Sequence, residues 1–256
     1  MKMVTENPKV FKWDLAVKKN ILLGREWYSV WMIDDVDSLI DGFISARTSD
    51  QSDLQEIRGC PFGGTLWPST RGFVKWLESH PDPLAVFEKH TAEVLELGCG
   101  IGVISCYLAK LGFKSAIATD FEPELGVFVE KNSQEFLVQD KVHFRTLDWQ
   151  IPLKNEQPQS YEIIVACDVL YDNEHIALLP KAAHALLAPN GVFYLADPER
   201  FRFEAAKLEL DKYFNVVEIF EVQVPNKELN TQLGVINQSS EFTLVKILKC
   251  SVPKIT

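Results

Sequence analysis

Long apolar runs are missing from this chain. No stretch of eighteen consecutive apolar residues occurs, so no membrane-spanning helix is expected. Met1 to Trp13 carries lysines with no apolar run behind them, which argues against a secretory signal. The five cysteines form no Cys-x-x-Cys pair, and no Cys/His cluster has the spacing of a zinc site, so no metal is expected. Reduced thiols in a cytoplasmic protein follow as the expected state. Repeats and low-complexity segments are absent. Basic residues are in deficit, 26 against 36 acidic ones, for a formal charge of -10. A nucleic-acid partner needs a basic face to neutralise phosphates, so none is expected, and an acidic protein suits a cationic substrate.

What is present is an ordinary soluble composition, 46% hydrophobic and 24% charged, over 256 residues. That length fits one large domain with an extension. Residues 1–57 read as an N-terminal extension packed on a catalytic domain of residues 58–256. Within the extension, Glu26–Ile33 is aromatic-rich and strand-like, Asp34-Asp35 signals a turn, and Val36–Ala46 has the makings of a helix.

From Gly59 the pattern alternates. Helices are expected over Pro68–Glu78, Val103–Leu111, Pro123–Val138, Glu174–Leu187 and Phe201–Tyr213. Strands are expected over Glu93–Leu97, Ser115–Thr119, Val142–Thr146, Tyr161–Cys167 and Val192–Ala196, the last preceded by a Pro189-Asn190-Gly191 turn. This βα alternation predicts an α/β fold, a doubly wound, seven-strand, Rossmann-like sheet that is mostly parallel. Two late strands, Val216–Val222 and Phe242–Leu248, are joined by a polar stretch without helical period, which predicts an antiparallel hairpin at the sheet edge. Ligands of such sheets bind at the carboxyl ends of the strands, and the motifs below all fall there.

The first strand runs into Gly98-Cys99-Gly100-Ile101-Gly102 and then a helix. Glycines let backbone turn tightly and approach a ligand with no Cβ in the way. About twenty residues on, Asp120 ends the second strand, where a carboxylate accepts hydrogen bonds from ribose hydroxyls. The same Asp120 can instead cap the helix that begins at Pro123. The spacing is G-x-G-x-G, unlike the G-x-G-x-x-G of dinucleotide sites. Glu96, two residues before the first glycine, would repel a pyrophosphate but tolerate the sulfonium and ammonium of S-adenosylmethionine. After the third strand, Asp148 can accept from an adenine amine and Trp149 can cover the ring, or both can be structural. Phe121 is a second adenine-pocket candidate or a core residue. The fourth strand ends Cys167-Asp168-Val169-Leu170-Tyr171. A carboxylate there can anchor a neutral amine, and Tyr171 can close an aromatic slot around it. The competing reading has Asp168 capping the next helix and Tyr171 in the core. The Asn-Pro-Pro-Tyr common at this position in enzymes that methylate bases is absent, and a carboxylate suits a lysine-type amine better.

Taken together, Leu66-Trp67-Pro68, Glu96–Gly102, Asp120, Asp148-Trp149 and Asp168-Val169-Leu170-Tyr171 resemble methyltransferase family 16 of the seven-β-strand class, over roughly residues 58–200. The resemblance implies a protein-lysine methyltransferase using S-adenosylmethionine. It implies that Trp67 packs against the cofactor, Gly98 and Gly100 line its amino-acid end, Asp120 holds the ribose and Trp149 flanks the adenine. It further implies that the strand end near Cys167 touches the cofactor and that Asp168 and Tyr171 frame the target amine. Asp168–Asp172 with Ala196-Asp197-Pro198-Glu199-Arg200 is also similar to the branch of the electron-transfer-flavoprotein β-subunit lysine methyltransferase, although Glu199 stands where that branch has glycine. A small-molecule N-methyltransferase and a non-catalytic partner subunit are the alternatives.

Overall fold

Strands β3 (Glu93–Leu97), β4 (Ser115–Asp120), β5 (Val142–Thr146), β6 (Tyr161–Cys167), β7 (Leu187–Asp197), β8 (Asn215–Pro225) and β9 (Phe242–Ser251) form one sheet in the order β5-β4-β3-β6-β7-β9-β8. The computed structural model describes residues 15–35, 61–80, 84–85, 87–154, 156–198, 202–226 and 241–252. The first five of these strands pair in parallel. The last two are antiparallel, β9 lying between β7 and β8. The mostly parallel sheet with an antiparallel edge is the architecture the alternation predicts.

Both faces of the central strands β3, β4 and β6 are buried because helices cover both, and these strands read as nearly continuous apolar runs for that reason. Side chains alternate between two cores. Val94, Ala116, Ala118, Ile163, Val165, Tyr194 and Ala196 join one core with α1 (Pro68–Ser79), α2 (Val103–Lys110) and α3 (Gly126–Glu135). Leu95, Leu97, Ile117, Ile164, Ala166, Phe193 and Leu195 join the other with α4 (Asn173–Leu186) and α5 (Phe203–Leu210). The strand order reverses between β3 and β6, which opens a crevice at the carboxyl ends of those two strands.

Several elements differ from the sequence expectation. Residues Ala16–Leu23 form a strand, β1, that pairs antiparallel with β2 (Glu26–Ile33) through a two-residue turn at Gly24-Arg25. Gly24 has φ +60°, as such a turn requires at its first position. This hairpin packs on α3. Buried Asn132 accepts from Trp31 N–H (2.7 Å) and donates to Trp31 O and Ile101 O, so it joins the hairpin to the glycine loop. The helix expected over Pro123–Val138 is a 3-10 turn, Pro123–Leu125, followed by α3, which ends at Glu135. Leu137 takes a left-handed conformation (φ +60°) in place of a glycine terminator, and Val138 N–H closes back onto Ser133 O. The expected turn at Pro189-Asn190-Gly191 is absorbed into β7 as a bulge: Leu187 pairs with Tyr161, and Val192 already pairs with Ile163. The expected helix at Val36–Ala46, the boundary at 57–58, and Glu199-Arg200 lie outside the described residues. Among the described residues no helix is long and apolar enough to cross a membrane.

Candidate active site

Three glycines shape the turn after β3, all left-handed: Gly98 at φ +70°, Gly100 at +51° and Gly102 at +76°. Their missing side chains mostly make room for protein. A Cβ on Gly98 would stand 2.7 Å from Val169 Cγ1 and 3.3 Å from Trp149; one on Gly100, 2.7 Å from Gly63 O; one on Gly102, 2.8 Å from Val129 on α3. The loop is tied down by Cys99 N–H on Thr119 O (2.8 Å) and by Gly100 N–H on Asp120 Oδ2 (2.9 Å). Asp120 Oδ1 also accepts from Glu122 N–H (3.3 Å), so its carboxylate organises both the glycine turn and the turn that starts α3.

The turn opens on a cavity of about 420 Å³. Trp67, Glu96, Gly98, Gly100, Asp120, Phe121, Asp148, Trp149, Cys167, Asp168 and Tyr171 all border it. Gly102 is not among the bordering residues; it faces α3 and starts α2. A 3-10 turn, Pro61–Gly64, roofs the glycine loop, and Trp67 Nε1–H holds it by donating to Phe62 O (2.8 Å). Four rings line one wall, each edge-on to the next: Phe62 to Tyr171 (5.7 Å between centroids), Tyr171 to His175 (4.7 Å), and His175 to Trp149 (5.1 Å). Phe121 and Tyr171 remain 44% and 38% exposed, at the rim rather than in the core.

Asp168 is 6% exposed and left-handed (φ +60°), an unusual backbone for a residue with a side chain. The bend swings its carboxylate across the crevice, where Oδ2 accepts from Ser69 N–H at the start of α1 (2.6 Å). Trp67, at the head of that helix, offers no side-chain cap, so Asp168 supplies the negative charge its first turn favours. The next helix, α4, is capped by Asp172, which accepts from Glu174 N–H (2.9 Å). The reading of Asp168 as the cap of the following helix is thereby set aside.

The match to known families falls on this scaffold. Residues 48–218 match the model of the family described as lysine methyltransferase. The chain belongs to that family. Curated relatives of this lysine methyltransferase family member include a ribosomal protein L11 methyltransferase of Listeria welshimeri, 27% identical over 178 residues, which are 66% of this chain and 52% of the relative. A second, from Janthinobacterium, is 38% identical over 66 residues, 26% of this chain and 19% of the relative. The chain spans about half the length of the first of these. Among solved structures, the N-methyltransferase NodS of Bradyrhizobium japonicum with S-adenosyl-l-homocysteine superposes with a TM-score of 0.51 at 16% identity, covering 67% of this chain and 82% of that one. The ribosomal protein L11 methylase of Lactobacillus delbrueckii subsp. bulgaricus gives 0.50 at 14%, covering 73% and 80%. At these identities the likeness is one of fold. The chain thus has the family and the fold of methyltransferases, whose cofactor is S-adenosylmethionine.

The lining suits that cofactor. Glu96, Asp120, Glu122, Asp148, Asp168, Asp172 and Glu174 border the cavity, and among the described residues no lysine or arginine does. Glu96 is 3% exposed; Ser105 donates to its Oε2 through both N–H (2.9 Å) and hydroxyl (2.6 Å). Burial pushes its carboxyl up to about 7, against the Ser105 bonds and with help from Asp120. Burial likewise raises Asp120, opposed by the backbone N–H groups of Gly100, Glu122 and Phe121. The Cys99 and Cys167 thiols are raised well above their ordinary value by burial and nearby carboxylates, which removes them as nucleophiles. Sequence reading missed the Phe62–Leu66 roof and His175. Pro61-Phe62-Gly63-Gly64 carried a turn signal, but nothing local ties it to a loop over thirty residues away; His175 shows only as the third residue of a helix.

Proposed function

We propose that the chain transfers the methyl group of S-adenosylmethionine to the side-chain amine of a lysine in a protein substrate. The observation that carries this reading is the wall of the cavity: seven carboxylates, no lysine or arginine among the described residues, and an aromatic rim that includes Tyr171. A cation is attracted to such a mouth and held by ring faces once desolvated. That the family is described as lysine methyltransferase, and that relatives are named for a ribosomal protein, supports a protein acceptor.

When bound, S-adenosylmethionine supplies an electrophilic methyl carbon on a sulfonium. In this reading Glu96 and the Gly98–Gly100 backbone receive its amino-acid end, with Trp67 and Cys167 against it. Asp120 accepts from the ribose, and Phe121, Asp148 and Trp149 enclose the adenine. Asp168, its carboxylate held in place by Ser69 N–H, accepts a hydrogen bond from the target amine and aims its lone pair. Tyr171 walls the aliphatic stem. Alignment of amine and methyl carbon supplies most of the rate.

The test is incubation with radiolabelled cofactor and a dialysed cell extract. Label in lysines of a protein band, lost with Asp168→Asn, is the expected result. Label confined to the low-mass fraction rejects a protein acceptor and favours a small amine.

A further inference from the structure

His175 has no role in the scheme above, yet it borders the cavity, and its ring stands edge-on between Tyr171 and Trp149. Its Nδ1 lies 2.8 Å from Val169 O, inside the segment that joins Asp168 to Tyr171. A carbonyl oxygen only accepts, so Nδ1 carries the hydrogen and Nε2 the lone pair. Nε2 has no hydrogen-bond partner among the described residues and is not sealed in the interior. Asp168, which also borders the cavity, already has Oδ2 engaged by Ser69 N–H.

We propose that His175 Nε2 accepts the proton a substrate lysine must lose before it can be methylated. This rests on the lysine reading above. An N–H bond of the ammonium breaks, its electron pair stays on nitrogen, and the proton passes to Nε2. The amine nitrogen then bonds to the methyl carbon as the carbon–sulfur bond breaks with its pair on sulfur, and the imidazolium returns its proton to water. Carboxylates surround the charge that forms: Asp120 from β4, whose field reaches His175, with Asp148 after β5, Asp168 after β6, and Asp172 and Glu174 at the head of α4. Among the described residues, the cations on neighbouring elements are Lys154, in the 3-10 turn Pro152–Lys154, and Arg202, whose guanidinium donates to Tyr171 O and Asn173 Oδ1.

The variants are His175→Asn, whose amide can keep the bond to Val169 O without a basic nitrogen, and His175→Phe, which keeps ring packing. Rates of label incorporation into protein lysine from a dialysed extract are read from about pH 6 to about pH 9.5, with cofactor affinity by calorimetry alongside. Near neutral pH both variants are expected to be slower by about 10²-fold or more, with cofactor affinity within about twofold, and the deficit closes as alkali deprotonates lysine unaided. A deficit equal at every pH, or none, overturns the role of His175 while leaving the lysine reading intact. Wild-type protein that labels only low-mass amines overturns both. Nitrogen NMR of the imidazole gives a readout without turnover: a hydrogen on Nδ1 is expected, and a neutral ring with its hydrogen on Nε2 refutes the assignment.

Discussion

Replacing Glu96 by Gln tests whether the floor of the cofactor site stores a proton. The glutamine oxygen can accept both Ser105 bonds, so the change removes charge and little else. The wild-type carboxyl is raised from 4.5 to about 7 by burial, a difference that corresponds to about 3 kcal/mol. Because the folded protein holds this proton more tightly than the unfolded chain, the stability it confers is complete below about pH 4.5 and is lost as pH rises through about 7. In cofactor-free protein at about pH 8, Glu96→Gln is therefore expected to be more stable than wild type by up to about 3 kcal/mol, or about 6–12 °C in Tm for a domain of this size. At about pH 4.5 that advantage vanishes. The cationic cofactor favours the ionised carboxylate, so its affinity for wild type is expected to fall by up to tenfold per pH unit below about 7, with release of a proton visible as buffer-dependent binding heat. The variant is expected to bind with flat pH dependence. Melting curves and calorimetry across this range decide the matter: equal pH dependence in wild type and variant, in both measurements, refutes the stored proton.

Four further outcomes follow from the site. Asp120→Ala is expected to weaken cofactor binding by about 1–3 kcal/mol in calorimetry, the scale of a lost charge-assisted hydrogen bond, and unchanged affinity removes it from the ribose. Asp168→Asn is expected to keep the left-handed bend, which asparagine tolerates, and the bond from Ser69 N–H, so cofactor affinity stays near wild type while turnover collapses. Unchanged turnover takes Asp168 out of the chemistry. Gly102→Ala is expected to cost about 1–3 kcal/mol of stability in denaturant melts, from positive φ and the clash with Val129, with cofactor affinity intact. Gly100→Ala, which drives a Cβ into Gly63 O, is expected to displace the roof and weaken the cofactor as well; equal affinity in both glycine variants contradicts that distinction.

The sheet was legible because its central strands are buried on both faces and its elements are punctuated by glycine, proline and acids at their ends. The site was legible as far as it sits on those ends: Gly98, Asp120, Asp148 and Asp168 each follow or terminate a strand. What stayed hidden depends on long-range contact. β1 is lysine-rich and half exposed, so its alternation is blurred, although Gly24-Arg25 was a usable hairpin signal. Leu137 ends a helix with a conformation its side chain does not advertise. Gly102 belongs to the same spacing motif as Gly98 and Gly100, and only the position of α3 assigns it to packing. The competing reading of Asp168 was a local cap, because caps are usually local; its left-handed backbone sends it instead to a helix ninety-nine residues earlier in the chain.

The insertion of β9 between β7 and β8 bears on how the protein is made. On the ribosome, β8 emerges before β9, its partner among the described residues, has been synthesised, and β7 waits with one side open. Both rows of unpaired backbone groups stay available to other nascent chains until Phe242–Ser251 is released, so the strand made after the other six of this sheet is the one that shields the growing polypeptide from aggregation.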